Sequence, residues 1–114
     1  MTKLDVEGTS VPTIAPKGAL DLGTSRGLQT RLAELAGENG QEAILDLTGV
    51  SFIDSVGLGV VLKAASRFHR QGKRLLIVAA PEGAVRRILE LAGVSDRLPV
   101  VESVDEARAV LRHG

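Results

Sequence analysis

The chain has 114 residues, 14 Lys and Arg against 14 Asp and Glu, no cysteine, and two aromatic residues, Phe52 and Phe68. This length fits one domain over residues 1–114 with one core, and the missing cysteines exclude disulfides, thiolate metal sites and a cysteine nucleophile. Zero formal charge, with no Trp or Tyr, argues against direct nucleic-acid binding, which uses a basic surplus and stacking platforms.

The chain start, Met1-Thr2-Lys3-Leu4-Asp5-Val6-Glu7, lacks the apolar stretch of a signal peptide. No run approaches the roughly 18 apolar residues of a membrane span. The expectation is a cytoplasmic protein without a membrane span. Val11 to Leu20 carries Val11, Ile14, Ala15 and Leu20, but Pro12 and Pro16 confine it to an edge strand or ragged hairpin. Thr24 or Ser25 can cap a first helix bearing Leu28, Leu32, Leu35 and Ala36, which Gly37 and Gly40 stop. Ala43 to Leu47 reads as a strand, with Ala43, Leu45 and Leu47 on one face and Asp46 on the other.

A second helix follows Ser55. Its expected stripe is Leu58, Val61, Leu62, Ala65 and Phe68, widened by Val60 and Ala64, and Gln71-Gly72 ends it. Leu75 to Ala80 is apolar without alternation, as in a strand covered on both faces. Pro81 at a first-turn position opens a third helix, with Val85, Ile88, Leu89 and Ala92 inward and Gly93 closing it. Leu98 to Val101 is a short strand, near an edge because of Pro99. Ser103 to Glu106 is a capping box for a fourth helix, with Val104, Ala107 and Leu111 inward. The alternation implies an α/β fold: a small open mixed, mostly parallel sheet of four to five strands with about four helices.

Ser55, Asp54, His69 and His113 invite an enzyme reading. It fails on distance: His69 is fourteen residues beyond Ser55 in one helix, roughly 21 Å away. His113 is the second-last residue, where chains are mobile. Two histidines without ligand spacing give no metal site. Gly57-Leu58-Gly59 lacks the third glycine of a dinucleotide loop, since position 62 is Leu62, and no Gly-Lys-Ser/Thr follows. The glycines are expected to let the first helical turn approach its neighbours. No enzyme, cofactor or metal is expected.

Ser55 stands where a loop, Gly49 to Asp54, enters the second helix. It reads as an N-cap serine. A helix N-terminus is also hospitable to phosphate, and a kinase would add a charge of about −1.5 to −2 there. Asp54 would repel that charge, so the modification would serve control of an interface. The scarcity of aromatics implies few large anchors on such a surface.

Asp54-Ser55-Val56-Gly57-Leu58-Gly59 resembles the Asp-Ser-x-Gly-Leu-Gly motif of the STAS family, the sulfate transporter and anti-sigma factor antagonist domains. Ile44-Leu45-Asp46-Leu47 and Val50-Ser51-Phe52-Ile53 resemble that family's second core strand and following loop, and Gly18-Ala19-Leu20-Asp21 its Gly-Glu-Leu-Asp. Leu91-Ala92-Gly93-Val94 also follows the pattern. The resemblance covers residues 14 to 112. It implies an anti-sigma factor antagonist that binds an anti-sigma factor serine kinase when unphosphorylated and frees a sigma factor. It further implies Ser55 as phosphoacceptor, reset by a serine phosphatase, with Asp54, Val56, Gly57 and Leu58 rimming the partner surface and Asp21 beside it. Ala19 replaces a glutamate, Val56 replaces a frequent small hydroxyl residue, and Pro12 and Pro16 loosen the first strands. The same resemblance admits an adaptor subunit of an ABC-type lipid-transport complex, a scaffold in a stress-sensing assembly, or a small-molecule-binding module.

Overall fold

The computed structural model describes residues 11–37 and 42–113. The chain start, Gly40 and the His113 side chain lie outside the described part. In chain order the elements are β1 (Thr13–Ile14), β2 (Gly18–Leu20), α1 (Ser25–Gly37), β3 (Ala43–Asp46), β4 (Val50–Ile53), α2 (Ser55–Arg70), β5 (Leu75–Val78), α3 (Ala84–Leu91), β6 (Val100–Val101) and α4 (Val104–His113).

Four strands form one parallel sheet in the order β1-β3-β5-β6, and β2 pairs parallel with β4 in a second ladder. The two ladders run in the same sense. Partners stand 31 residues apart at Thr13–Ile44 and Ile14–Leu45, 32 at Gly18–Val50, and 33 at Ala19–Phe52 and Leu20–Ile53. β1 with β2, and β3 with β4, are thus two long strands running side by side through a kink. Counting each bent pair once gives the four-stranded, parallel architecture that the sequence implies. Val11 to Leu20 is therefore not a hairpin. Pro12 stays compatible with edge pairing because it only has to accept, from Ile44 N–H at 2.9 Å. Residues 50–53, expected as loop, form β4.

The sheet is covered on both faces, as the unbroken apolar run at β5 requires. On one side Ala43, Leu45, Leu75 and Ile77 pack against Leu28, Leu32 and Ala36 of α1, Val60, Val61, Ala64 and Phe68 of α2, and Val85 and Leu89 of α3. On the other side Ile44, Leu76, Val78 and Val101 meet Ala107 of α4. Phe68 is fully buried, so Phe68→Ala would cost about 3–5 kcal/mol.

Three expectations need correction. The buried stripe of α2 is Gly57, Val60, Val61, Ala64 and Phe68, while Leu58, Leu62 and Ala65 flank it half-buried. The helix is thus rotated toward its Val60/Ala64 edge, where α1 packs against it. Pro81 does not open α3. Gly83 donates to the Ala80 carbonyl at 3.0 Å, making a turn, and serves as the N-cap of a helix that starts at Ala84. Ala92 is exposed and caps the end of α3 instead of facing inward. The expected closures by Gly72 and Gly93 hold: both have positive φ, 74° and 73°. Each sits in a Schellman motif, with Lys73 N–H donating to Phe68 O and Val94 N–H to Leu89 O.

Candidate functional site

Parallel strands deliver their C-terminal ends to one pole, and there β2, β4 and α2 meet. Asp54 N–H donates to the Leu20 carbonyl at 3.1 Å, tying the end of β2 to the entrance of α2. The next turn then has to pass beneath that carbonyl. A Cβ on Gly57 would lie 2.5 Å from Leu20 O and 3.0 Å from Ile53 Cγ1. Only glycine fits. Gly59 has nothing within 4 Å of such a Cβ, so close approach accounts for Gly57 and not for Gly59.

The cap is Asp54, not Ser55. Asp54 has extended backbone, φ −97° and ψ −174°, and its Oδ1 accepts from Gly57 N–H at 2.9 Å. That bond satisfies one of the orphan amides of the helix start. Ser55 is the first helical residue, exposed, and its hydroxyl makes no hydrogen bond to another described residue. An aspartate is an equally good cap, and its presence leaves the serine hydroxyl free.

Asp21 follows β2 at the same pole. Its Oδ1 accepts from Gly23 N–H at 3.0 Å and Thr24 N–H at 3.1 Å, while Asp21 N–H donates to Thr24 Oγ1 at 3.0 Å. The Thr24 amide and then its hydroxyl hold the Asp21 carboxyl below the ordinary aspartate range. The carboxylate is thereby fixed in the turn leading into α1.

Phe52 adds what sequence reasoning missed. Gly18 pairs with Val50 but Ala19 pairs with Phe52, so Ser51 is an extra residue and β4 carries a bulge. Strict alternation from Val50 would turn Phe52 inward. The bulge turns it out and buries Ile53 instead. Phe52 is 50% exposed, Val56 41% and Leu22, next to Asp21 in the chain, 70%. One of only two aromatics in the chain thus stands in the open, three residues before Ser55 in sequence. This end of the fold thus exposes one large apolar side chain, in keeping with the few that the composition allows.

The structure brings Asp21, Asp54, Ser55, Val56, Gly57 and Leu58 to one end of the fold. Gly57 is buried and Leu58 half-buried against the core, so they shape the site from below. His69 lies in the last turn of α2, at the far end from Ser55. Among the described residues no group of three His, Cys, Asp or Glu could hold a metal, and no helix is long and apolar enough to cross a membrane.

The sequence matches the STAS domain family over residues 4–107, and the chain belongs to that family. It is 26% identical over 114 residues to the anti-sigma-F factor antagonist RsfB of Mycobacterium tuberculosis, covering all of this chain and 90% of RsfB. An anti-sigma factor antagonist from Mycobacterium paratuberculosis has a similar crystal structure, with TM-score 0.75 and 25% identity over 88% of this chain and 84% of the other. The unphosphorylated form of the antagonist SpoIIAA shares the fold, with TM-score 0.66 and 17% identity over 90% and 88% of the two chains.

Proposed function

We propose that the chain is an anti-sigma factor antagonist whose entrance to α2 binds an anti-sigma factor with serine-kinase activity, and that phosphorylation of Ser55 ends the complex. The observation that carries this is the division of labour at residues 54 and 55. Asp54 caps the helix, so the exposed Ser55 hydroxyl is spare, and the same end of the fold exposes Leu22, Phe52 and Val56. Exposed apolar side chains around a small polar centre suit a protein interface. RsfB and the Mycobacterium paratuberculosis protein, both named as anti-sigma factor antagonists, support the role.

A phosphate on Ser55 brings a charge of about −1.5 to −2. It would stand next to the Asp54 carboxylate, with Asp21 at the same pole. Burying that charge under a partner, or setting it against like charge, costs several kcal/mol. The unmodified serine carries no such cost. The chain acts by binding and performs no chemistry itself; the partner kinase transfers the phosphoryl group from ATP to Ser55, releasing ADP, and a serine phosphatase removes it by hydrolysis as inorganic phosphate.

Incubation with the cognate kinase and ATP should add one phosphate, located on Ser55 by mass spectrometry, and Ser55→Ala should stay unlabelled. Equal binding of Ser55→Ala and Ser55→Asp to an ABC-type ATPase, with no binding to an anti-sigma kinase, would overturn the proposal in favour of a transport adaptor.

A further inference from the structure

The far end of α2 carries a second recess. Leu62, Ala65, Leu75, Leu98 and Pro99 form an apolar floor and wall, and Ser66, His69, Lys73, Arg74 and Arg97 surround it, in a cleft of about 290 Å³. Among the described residues no carboxylate lines it. Arg74 Nε donates to Glu42 at 2.8 Å, which offsets one charge. Lys73 and Arg97 make no ion pair with a described residue, so among the described residues the recess has two positive charges without a paired carboxylate.

These cations are not needed to finish the helix. Gly72 N–H and Lys73 N–H already satisfy the His69 and Phe68 carbonyls at 2.9 Å each. Lys73 and Arg97 come from two different loops, one after α2 and one before β6, and converge on the same apolar floor. Behind the wall, Arg70 Nη1 donates to Ser66 Oγ at 3.1 Å, bringing a further cation close.

We infer that this cleft binds a small organic anion: a carboxylate or phosphate monoester held by Lys73 and Arg97, carried on a flat or short apolar body seated on Leu62, Ala65 and Leu98. The volume lies at the lower end of small-molecule sites and suits a body about the size of one aromatic ring, since about 150 Å³ holds benzene. Along α2 the cleft extends from roughly 10 Å (Leu62) to roughly 21 Å (His69) from Ser55, so it is separate from the phosphorylation surface and stands without that proposal.

The test is an NMR titration of the ¹⁵N-labelled chain with phenyl phosphate, benzoate and neutral benzamide at low salt. At least one acid should shift the Ser66, His69, Leu75 and Leu98 amides saturably in the low-millimolar range, as ligands of roughly ten atoms do, and benzamide should not. Which acid binds more tightly tells phosphate from carboxylate. Lys73→Gln and Arg97→Gln, both at solvent-accessible positions, should each weaken binding by about fivefold and leave distant amides unmoved. Benzamide matching the acids, unchanged affinity in both variants, or binding of an acidic peptide but of neither small acid would each overturn the inference.

Discussion

Gly57→Ala and Gly59→Ala, two residues apart in one helix, should have opposite effects on stability. Alanine is favoured over glycine in a helix interior by about 1 kcal/mol, and that gain is open to both. At Gly59 nothing lies within 4 Å of the new methyl group, so the gain is realised and the midpoint of thermal unfolding should rise by a few degrees. At Gly57 the methyl would sit 2.5 Å from a backbone oxygen, that of Leu20. Overpacking of this kind costs about 1–3 kcal/mol, and moving Leu20 away also strains its bond from Asp54 N–H, worth about 1 kcal/mol. Net of the helix gain, Gly57→Ala should lose about 1–3 kcal/mol, or roughly 5–12 °C. Urea unfolding of both variants at one pH measures the difference. A Gly57→Ala protein as stable as the wild type would refute the close crossing of β2 over α2 and with it the placement of Asp21 at the same pole as Ser55.

Asp54→Ala should cost about 1 kcal/mol of unfolding free energy through the lost cap, whereas Ser55→Ala should stay within about 0.5 kcal/mol; a serine cap would reverse that order in the same urea assay. Asp21 has its folded pKa depressed by the Thr24 and Gly23 bonds, so its contribution is present above the unfolded value of about 3.9 and is lost as the pH falls through the folded one. Carboxyl-resolved NMR should give Asp21 a midpoint below that of ordinary aspartates, and Asp21→Asn should flatten the acid limb of stability. Phe52→Ala should weaken the anti-sigma partner by tenfold or more, as truncation of an aromatic anchor does, while changing stability by under about 1 kcal/mol, as isothermal titration and urea unfolding would show.

Much of the fold is legible because it rests on strong local signals. The apolar run from Leu75 reads as a strand buried on both faces, and Gly72 and Gly93 end helices because positive φ suits glycine alone among the residues there. The helix entrance at Asp54-Ser55 is legible too, but the assignment of the cap is not. Either side chain can accept from an early amide, and only the backbone at Asp54 decides between them. Phe52 hides for a different reason. An extra residue in β4 inverts the inward–outward order, and no local pattern in Val50-Ser51-Phe52-Ile53 marks where that residue is inserted. Pro81 misleads because a proline suits a turn as well as a first helical turn.

The central claim is that one phosphate on Ser55 decides whether the α2 entrance holds its partner. Its most direct test is the affinity of the anti-sigma kinase for the chain before and after stoichiometric phosphorylation, measured by titration calorimetry at fixed salt. A loss of about 100-fold or more is predicted, the equivalent of the several kcal/mol that a misplaced charge costs at an interface. Equal affinity of the two forms would contradict it.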